Sequence, residues 1–159
     1  MFEISDVFSK IQSQRGKVAN IHTAFQAFPK GVEAHFNFYK SIILDDDVPL
    51  RRSEREFLAL ETSKINKCTY CIGHHEEAYE RYSSDEISEI RQELFRELAS
   101  TLTLRPWMAT PLENKFIESG FSDSEWQHAV MVVSYFNLAN RCAYATGIEL
   151  EKDFIQTCN

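Results

Sequence analysis

The sequence predicts an all-α fold, and three observations carry that expectation. The 159 residues include only 5 glycines and 4 prolines, too few for a series of strand–turn–strand units. Apolar side chains recur three and four residues apart, the period of a helix face. Short runs of Ser, Asp and Glu stand ahead of several of those stripes, where a helix start needs acceptors for its free N–H groups.

The elements follow in order. Val18, Ile21, Ala24 and Phe25 form a first stripe, which Pro29 ends. Val32, Phe36, Tyr39 and Ile43 form a second, running into the acidic loop Asp45-Asp46-Asp47 that Pro49 closes. Ser53-Glu54-Arg55-Glu56 has the pattern of a capping box, so a third helix is expected from Ser53, carrying Phe57, Leu60 and Ile65. Asn66-Lys67 breaks it, and the next helix is expected from Cys68 to Tyr82. Ser83-Ser84-Asp85-Glu86 caps a helix with Ile87, Ile90, Leu94 and Leu98 on one face. Pro106 and Pro111 bracket a looser connection, and a short helix ends at Gly120. Ser122-Asp123-Ser124-Glu125 caps a last long helix, which carries Val130, Val133, Phe136 and Leu138 to a stop at Gly147.

A mass of 18.5 kDa fits one domain, and no segment reads as a linker, so residues 1–159 are expected to fold as a single unit. That length can bury a core without disulfide staples. The net charge of -7 repels a phosphate backbone, so no nucleic-acid partner is expected. The start, Met1 to Asp6, carries acids rather than the basic region of a secretion signal. The longest apolar stretch, Ala129 to Ala139, is interrupted by Ser134 and Asn137 and is too short for a bilayer. A soluble cytoplasmic protein with no membrane contact is therefore expected. In that compartment four cysteines point to chemistry or metal binding rather than to a secreted disulfide frame.

The segment Cys68-Thr69-Tyr70-Cys71-Ile72-Gly73-His74-His75 is the most informative. It sets two thiols one helical turn apart. At a helix start the free N–H groups and the dipole favour a thiolate, and the second thiol is near enough to close a disulfide. Haem attachment is excluded because Ile72, not His, follows the second cysteine. Zinc binding and two inert buried thiols stay open. His75 lies four residues after Cys71, so both belong to one helix face, where an imidazole can carry the thiol proton. It reads equally as a surface histidine beside Glu76 and Glu77, and His74 reads as a packing or surface residue. Glu56 either closes the capping box or orients His75, with Glu61 as a rival carboxylate. Cys142 reads as a small core residue, and Cys158 as a thiol at a frayed end. Trp107, Trp126 and the many phenylalanines read as core or subunit contacts.

At these residues the chain resembles the carboxymuconolactone decarboxylase superfamily, and within it the alkylhydroperoxidase D-like (AhpD-like), peroxidase-related branch. The match is Glu56, Leu58-Ala59-Leu60, Asn66 to Cys71 and His75, with Pro29-Lys30-Gly31, Gly120 to Asp123 and Asn140-Arg141 resembling the flanking helices. The resemblance implies an all-α, AhpD-like bundle assembled as a homo-oligomer, a trimer or a hexamer. It implies a thiol peroxidase acting on organic hydroperoxides or hydrogen peroxide, with no metal and no organic cofactor. Glu56 would orient His75, His75 would activate the dithiol, Cys71 would attack the peroxide, and Cys68 would resolve the sulfenic acid into a disulfide. A dithiol donor, a lipoyl protein or a thioredoxin-like partner, would restore it. Cys-x-x-Cys electrostatics by themselves favour the first cysteine instead, so the two arguments differ on the nucleophile. The chain departs from the family at Tyr70, where a histidine stands in the peroxidase pattern; tyrosine is a donor but a poor base near neutral pH.

Two other functions fit the residues. One is a decarboxylase-like enzyme for small organic acids, with Arg141 or Arg105 as the cation. The other is a non-enzymatic helical module whose cysteines take up zinc.

Overall fold

The computed structural model describes residues 3–157, and every regular element among them is helical. Eight α-helices run α1 Ile4–Arg15, α2 Asn20–Thr23, α3 Pro29–Tyr39, α4 Arg52–Ile65, α5 Thr69–Tyr82, α6 Glu89–Leu104, α7 Leu112–Glu118 and α8 Asp123–Thr146. A π-helical stretch, Lys40–Leu44, prolongs α3. Met1, Phe2 and Cys158, each read from the sequence, lie outside the described residues.

Helix α4 is the axis. From Ser53 to Leu60 it is buried on every side, packed against α5, α6 and α8. Its apolar neighbours are Phe95 and Leu98 of α6 and Val132, Val133 and Phe136 of α8. A helix enclosed all round puts its charged side chains in the interior, where each requires a partner. Arg91 meets Glu54 at 2.6 Å, and the Arg55 guanidinium donates to the carbonyls of Ile43 and Asp45. That second contact fastens the acidic loop to α4.

Several expectations are corrected. The capping box of α4 starts earlier than Ser53. Arg51 is the cap, its N–H donates to Glu54 Oε2 at 3.0 Å, and Glu56 is not the closing member. Helix α6 starts at Glu89, with Ser88 at the N-cap position but making no side-chain cap, because Ile87 turns inward to be buried ahead of the helix; Ile90 is then 63% exposed. The stripe from Val18 to Phe25 makes one helical turn only. Its members pack against two different clusters, Val18 and Phe25 with α1 and α3, and Ile21 with the cysteines, so no single face exists to propagate a helix. Helix α1, which the sequence reading left without an element, seats Val7 and Ile11 against Val32 and Phe36. Trp126 is core, whereas Trp107 is 74% exposed. Cys142 is only partly buried on α8, not a core residue.

Other expectations hold. Ser122 Oγ accepts from Glu125 N at 3.2 Å while Glu125 Oε2 accepts from Ser122 N at 2.8 Å, a complete capping box for α8. Gly147 ends that helix with φ 60, a left-handed conformation that suits glycine.

Candidate functional site

The site begins where α4 turns into α5. Lys67 takes a left-handed φ of 57, and Cys68 N–H donates to the Ser63 carbonyl at 3.0 Å. Helix α8 pins this turn. Asn66 Nδ2 donates to Asn140 Oδ1 at 2.9 Å, and Tyr144 Oη donates to the Asn66 carbonyl at 2.9 Å. The fixed turn delivers Cys68 to the N-cap of α5 and Cys71 one turn on.

The two sulfurs are 2.8 Å apart, closer than a non-bonded sulfur contact and longer than the ~2.05 Å of a disulfide. Both cysteines are free thiols and both are buried. Once Cys68 ionises, the Cys71 thiol donates to its sulfur, and against the cost of burial the backbone N–H groups of Cys71 and Tyr70 add to that effect; the Cys68 pKa falls from 9.0 to about 7. The same hydrogen bond, together with burial and the adjacent Cys68 charge, pushes Cys71 up. The pair thus holds one proton between two sulfurs when Cys68 ionises.

His75 belongs to the next turn of α5. Its Nδ1 lies 2.6 Å from Glu56 Oε2 on α4, with the carboxylate fully buried. Burial works against that charge, but the His75 ring and the Arg52 guanidinium together hold the Glu56 pKa down to about 2. Arg52 Nε donates to Glu56 Oε1 at 2.6 Å. Glu56 is therefore an anion at neutral pH, and it fixes Nδ1 of the imidazole as the bonded nitrogen. Phe136 packs against the ring, with centroids 4.5 Å apart. The rival Glu61 pairs with Lys64 and Arg96 instead.

A second carboxylate supports the other flank. Glu151, from the segment after α8, accepts from Tyr70 Oη at 3.0 Å and lies 2.8 Å from His74 Nε2. Despite burial, His74 and the Asn20 N–H hold its pKa near about 2. Tyr70 is thus a buried structural tie, its own pKa raised by burial and by Glu151. His74 is a packed residue anchoring this segment.

Cys71, His74 and His75 line a cavity of about 40 Å³, room for one or two water-sized groups. Cys68 does not line it. His22, His35 and Tyr135 also line it, as does the cation Arg15. Arg141 and Arg105, the cations expected for an acid substrate, are both exposed and line none of the cavities seen here. Among the described residues, no group of three or more His, Cys, Asp or Glu side chains gathers as a metal ion requires. No helix among them is long and apolar enough to cross a membrane.

Of the residues singled out in the sequence, Glu56 contacts His75, Cys68 contacts Cys71, and Cys71 and His75 line one cavity. Arg52 was missed, although its four-residue spacing from Glu56 is a legible signal. His22, His35, Tyr135 and Glu151 had no local signal, since each arrives from a distant segment.

A family model described as PA26 p53-induced protein (sestrin) matches residues 2–159. Solved structures are similar over nearly the whole chain. The alkylhydroperoxidase AhpD core of an uncharacterized peroxidase-related protein from Ralstonia eutropha JMP134 has a TM-score of 0.82 at 20% identity, covering 98% of this chain and 88% of that one. An uncharacterized peroxidase-related protein from Silicibacter sp. TM1040 gives 0.81 at 22% identity, with 98% and 88% covered. The debrominase Bmp8 gives 0.69 at 15% identity, with 98% and 91% covered. At these identities the likeness is one of fold, and the fold is AhpD-like. No curated protein matches the chain.

Proposed function

This chain belongs to the PA26 p53-induced protein (sestrin) family, and from that premise we propose that it is a thiol-dependent peroxidase of the AhpD-like kind. One observation carries the reading: two free sulfurs 2.8 Å apart, one of which shares a small cavity with a carboxylate-held imidazole. Two inert thiols need no such imidazole, and among the described residues the three or more ligands that zinc needs do not gather.

The reaction runs as follows. An organic hydroperoxide or hydrogen peroxide enters the cavity and meets Cys71, the thiol that faces it. His75 takes the Cys71 proton, aided by the Glu56 charge. The Cys71 sulfur attacks the terminal oxygen, the O–O bond breaks, and His75 returns the proton to the leaving oxygen, giving alcohol or water. Cys71 is now a sulfenic acid. Cys68 attacks its sulfur, and the Cys68 proton leaves with the displaced hydroxide as water. The disulfide is reduced by a dithiol donor, a lipoyl protein or a thioredoxin-like partner, which is itself oxidised to a disulfide. The cavity lining supports Cys71 as the attacking thiol, while the lowered Cys68 pKa and the raised Cys71 pKa favour Cys68 as the readier thiolate, so the assignment follows access rather than acidity. The roles need no metal or organic cofactor.

The test is peroxide consumption with dihydrolipoamide as donor. Each single Cys→Ser variant should lose turnover, and one equivalent of peroxide should remove two titratable thiols from the wild-type chain. Turnover retained by both Cys68→Ser and Cys71→Ser would end this reading.

The exposed apolar cluster of Leu104, Trp107 and Met108 fits a subunit contact in a trimer or hexamer, which light scattering would measure. A cytoplasmic location fits a dithiol that must be returned to its reduced state. The small-acid reading keeps one observation in its favour, the Arg15 side chain at the cavity. Turnover of a lactone by a variant lacking both Cys68 and Cys71 would select it.

A further inference from the structure

His22 is a buried side chain with both of its polar atoms unexplained. It is 2% exposed, and neither ring nitrogen has a hydrogen-bond partner. A buried polar group left unpaired costs on the order of 1–3 kcal/mol, so an imidazole with two such atoms indicates a place where something else is meant to bind. Its ring meets His35 and Phe36 edge-on, at 5.5 and 5.6 Å. Tyr135 Oη lies 3.2 Å from His35 Nε2.

These three residues stand between two cavities. On one side is the 40 Å³ space that holds Cys71 and His75. On the other is a larger one of about 320 Å³, which shares Ile21, His22, His35 and Tyr135 with the first. The larger wall is otherwise apolar: Phe25, Phe28, Val32 and Phe38, with Leu138 and Cys142 opposite. Among the described residues, no Lys, Arg, Asp or Glu lines it. Phe28 is 64% exposed and lies over Gly31, where any Cβ would come within 2.4 Å of its ring. The glycine thus allows the ring to sit at the rim.

We infer that the two cavities form one substrate site, in which the larger chamber takes the apolar body of an uncharged organic hydroperoxide and His22 positions its peroxide group toward Cys71. This rests on the peroxidase reading above. The chemistry matches on both sides. A neutral imidazole offers one donor and one acceptor, and a hydroperoxide offers one O–H and two acceptor oxygens. The small space admits little beyond the two-oxygen head. The large one is big enough for a compact aromatic or branched alkyl group and offers no counter-charge to a carboxylate. Burial, His35 and Arg15 all push the His22 pKa well below 6.5, against the pull of Glu151, so the ring stays neutral through the physiological range. His22 is a positioning residue: it makes no bond in the reaction.

Two variants and two peroxides test this, with cumene hydroperoxide as the bulky probe and hydrogen peroxide as the small one. Ala34 lines the chamber from an exposed position on α3, so Ala34→Phe fills the space without opening the core. It should lower kcat/KM for cumene hydroperoxide about tenfold and leave hydrogen peroxide within about twofold. His22→Leu should raise KM for both peroxides by about tenfold with kcat little changed, and His22→Gln, which restores a donor and an acceptor, should recover most of it. Equal loss with both peroxides in Ala34→Phe, or no recovery by Gln, overturns the inference. Calorimetric binding of cumyl alcohol separates it from the peroxidase reading, since binding needs no turnover. Wild-type binding that Ala34→Phe weakens tenfold supports the chamber even if no peroxide is consumed. Absence of wild-type binding overturns it, as does a change of molecular mass on Ala34→Phe, which would mean that a second copy covers this face.

Discussion

Glu56 Oε2 lies 2.6 Å from Nδ1 of His75, a contact made between two adjacent helices by residues 19 positions apart. Both partners are buried, the carboxylate fully and the ring at 7% exposure on the cavity wall. The pair sets both the charge state of the carboxylate and the orientation of the ring. It therefore decides which nitrogen is left to serve the thiols.

Removing that charge should slow the chemistry more than it changes substrate affinity. Glu56→Gln keeps the shape but not the anion, so the ring loses the charged acceptor that orients Nδ1. Peroxide turnover should fall by roughly 100-fold, the lower end of what general acid–base assistance supplies, with KM nearly constant. Steady-state rates with dihydrolipoamide would measure this, and an unchanged kcat would remove His75 from the mechanism.

The Cys68 thiol should titrate near neutrality. Its pKa of about 7 depends first on the hydrogen bond from Cys71. Thiolate absorbance in the ultraviolet should therefore rise through that pH in the wild-type chain. In Cys71→Ala the donor is gone, and the transition should move up toward the ordinary value of 9.0. A transition that stays near 7 would assign the effect to the helix N-terminus instead.

Tyr70→Phe should cost stability rather than chemistry. The hydroxyl accepts from Ile21 N at 3.3 Å and donates to Glu151 at 3.0 Å. Its loss leaves the half-buried Ile21 N–H and the Glu151 carboxylate each short of a partner, at about 1–2 kcal/mol in denaturant unfolding. The rate per folded molecule should change little, since a phenol so hard to ionise is not a base.

Acid should destabilise the fold in two windows. His35 has its pKa lowered by burial and by Arg15 to about 4, below the ordinary 6.5. The unfolded chain then takes up that proton first, so stability falls as pH drops from about 6.5 to 4. Glu56 and Glu151, each held near about 2 in the folded chain against an ordinary 4.5, come next. Their contribution is complete above about pH 4.5 and is lost as pH falls toward 2. Thermal melts across that range should show the melting temperature dropping in both intervals, and Glu56→Gln should flatten the lower one.

Some of this was legible along the chain because it is local. A helix repeats every 3.6 residues, so Cys68, Cys71 and His75 share a face by spacing alone. The Ser122–Glu125 cap and the Gly147 stop are local for the same reason. The start of α4 was misread although its signal is also local, because two overlapping acceptor patterns compete there. Arg51 with Glu54 wins, since Glu54 also meets Arg91 of α6, a contact between helices. That shift of register releases Glu56 from the cap and turns it toward His75.

The sequence by itself determined an all-α chain, a dithiol at the head of one helix and an imidazole one turn past it. These need only the periodicity of the backbone. The packed structure decided which carboxylate holds the ring, which sulfur faces the cavity, and that His22 and His35 also line it. It also brought Glu151 back to Tyr70 and His74 from 81 and 77 residues away. Contacts of that kind depend on how faces of different helices fit, and no periodicity along one segment encodes the packing of another against it.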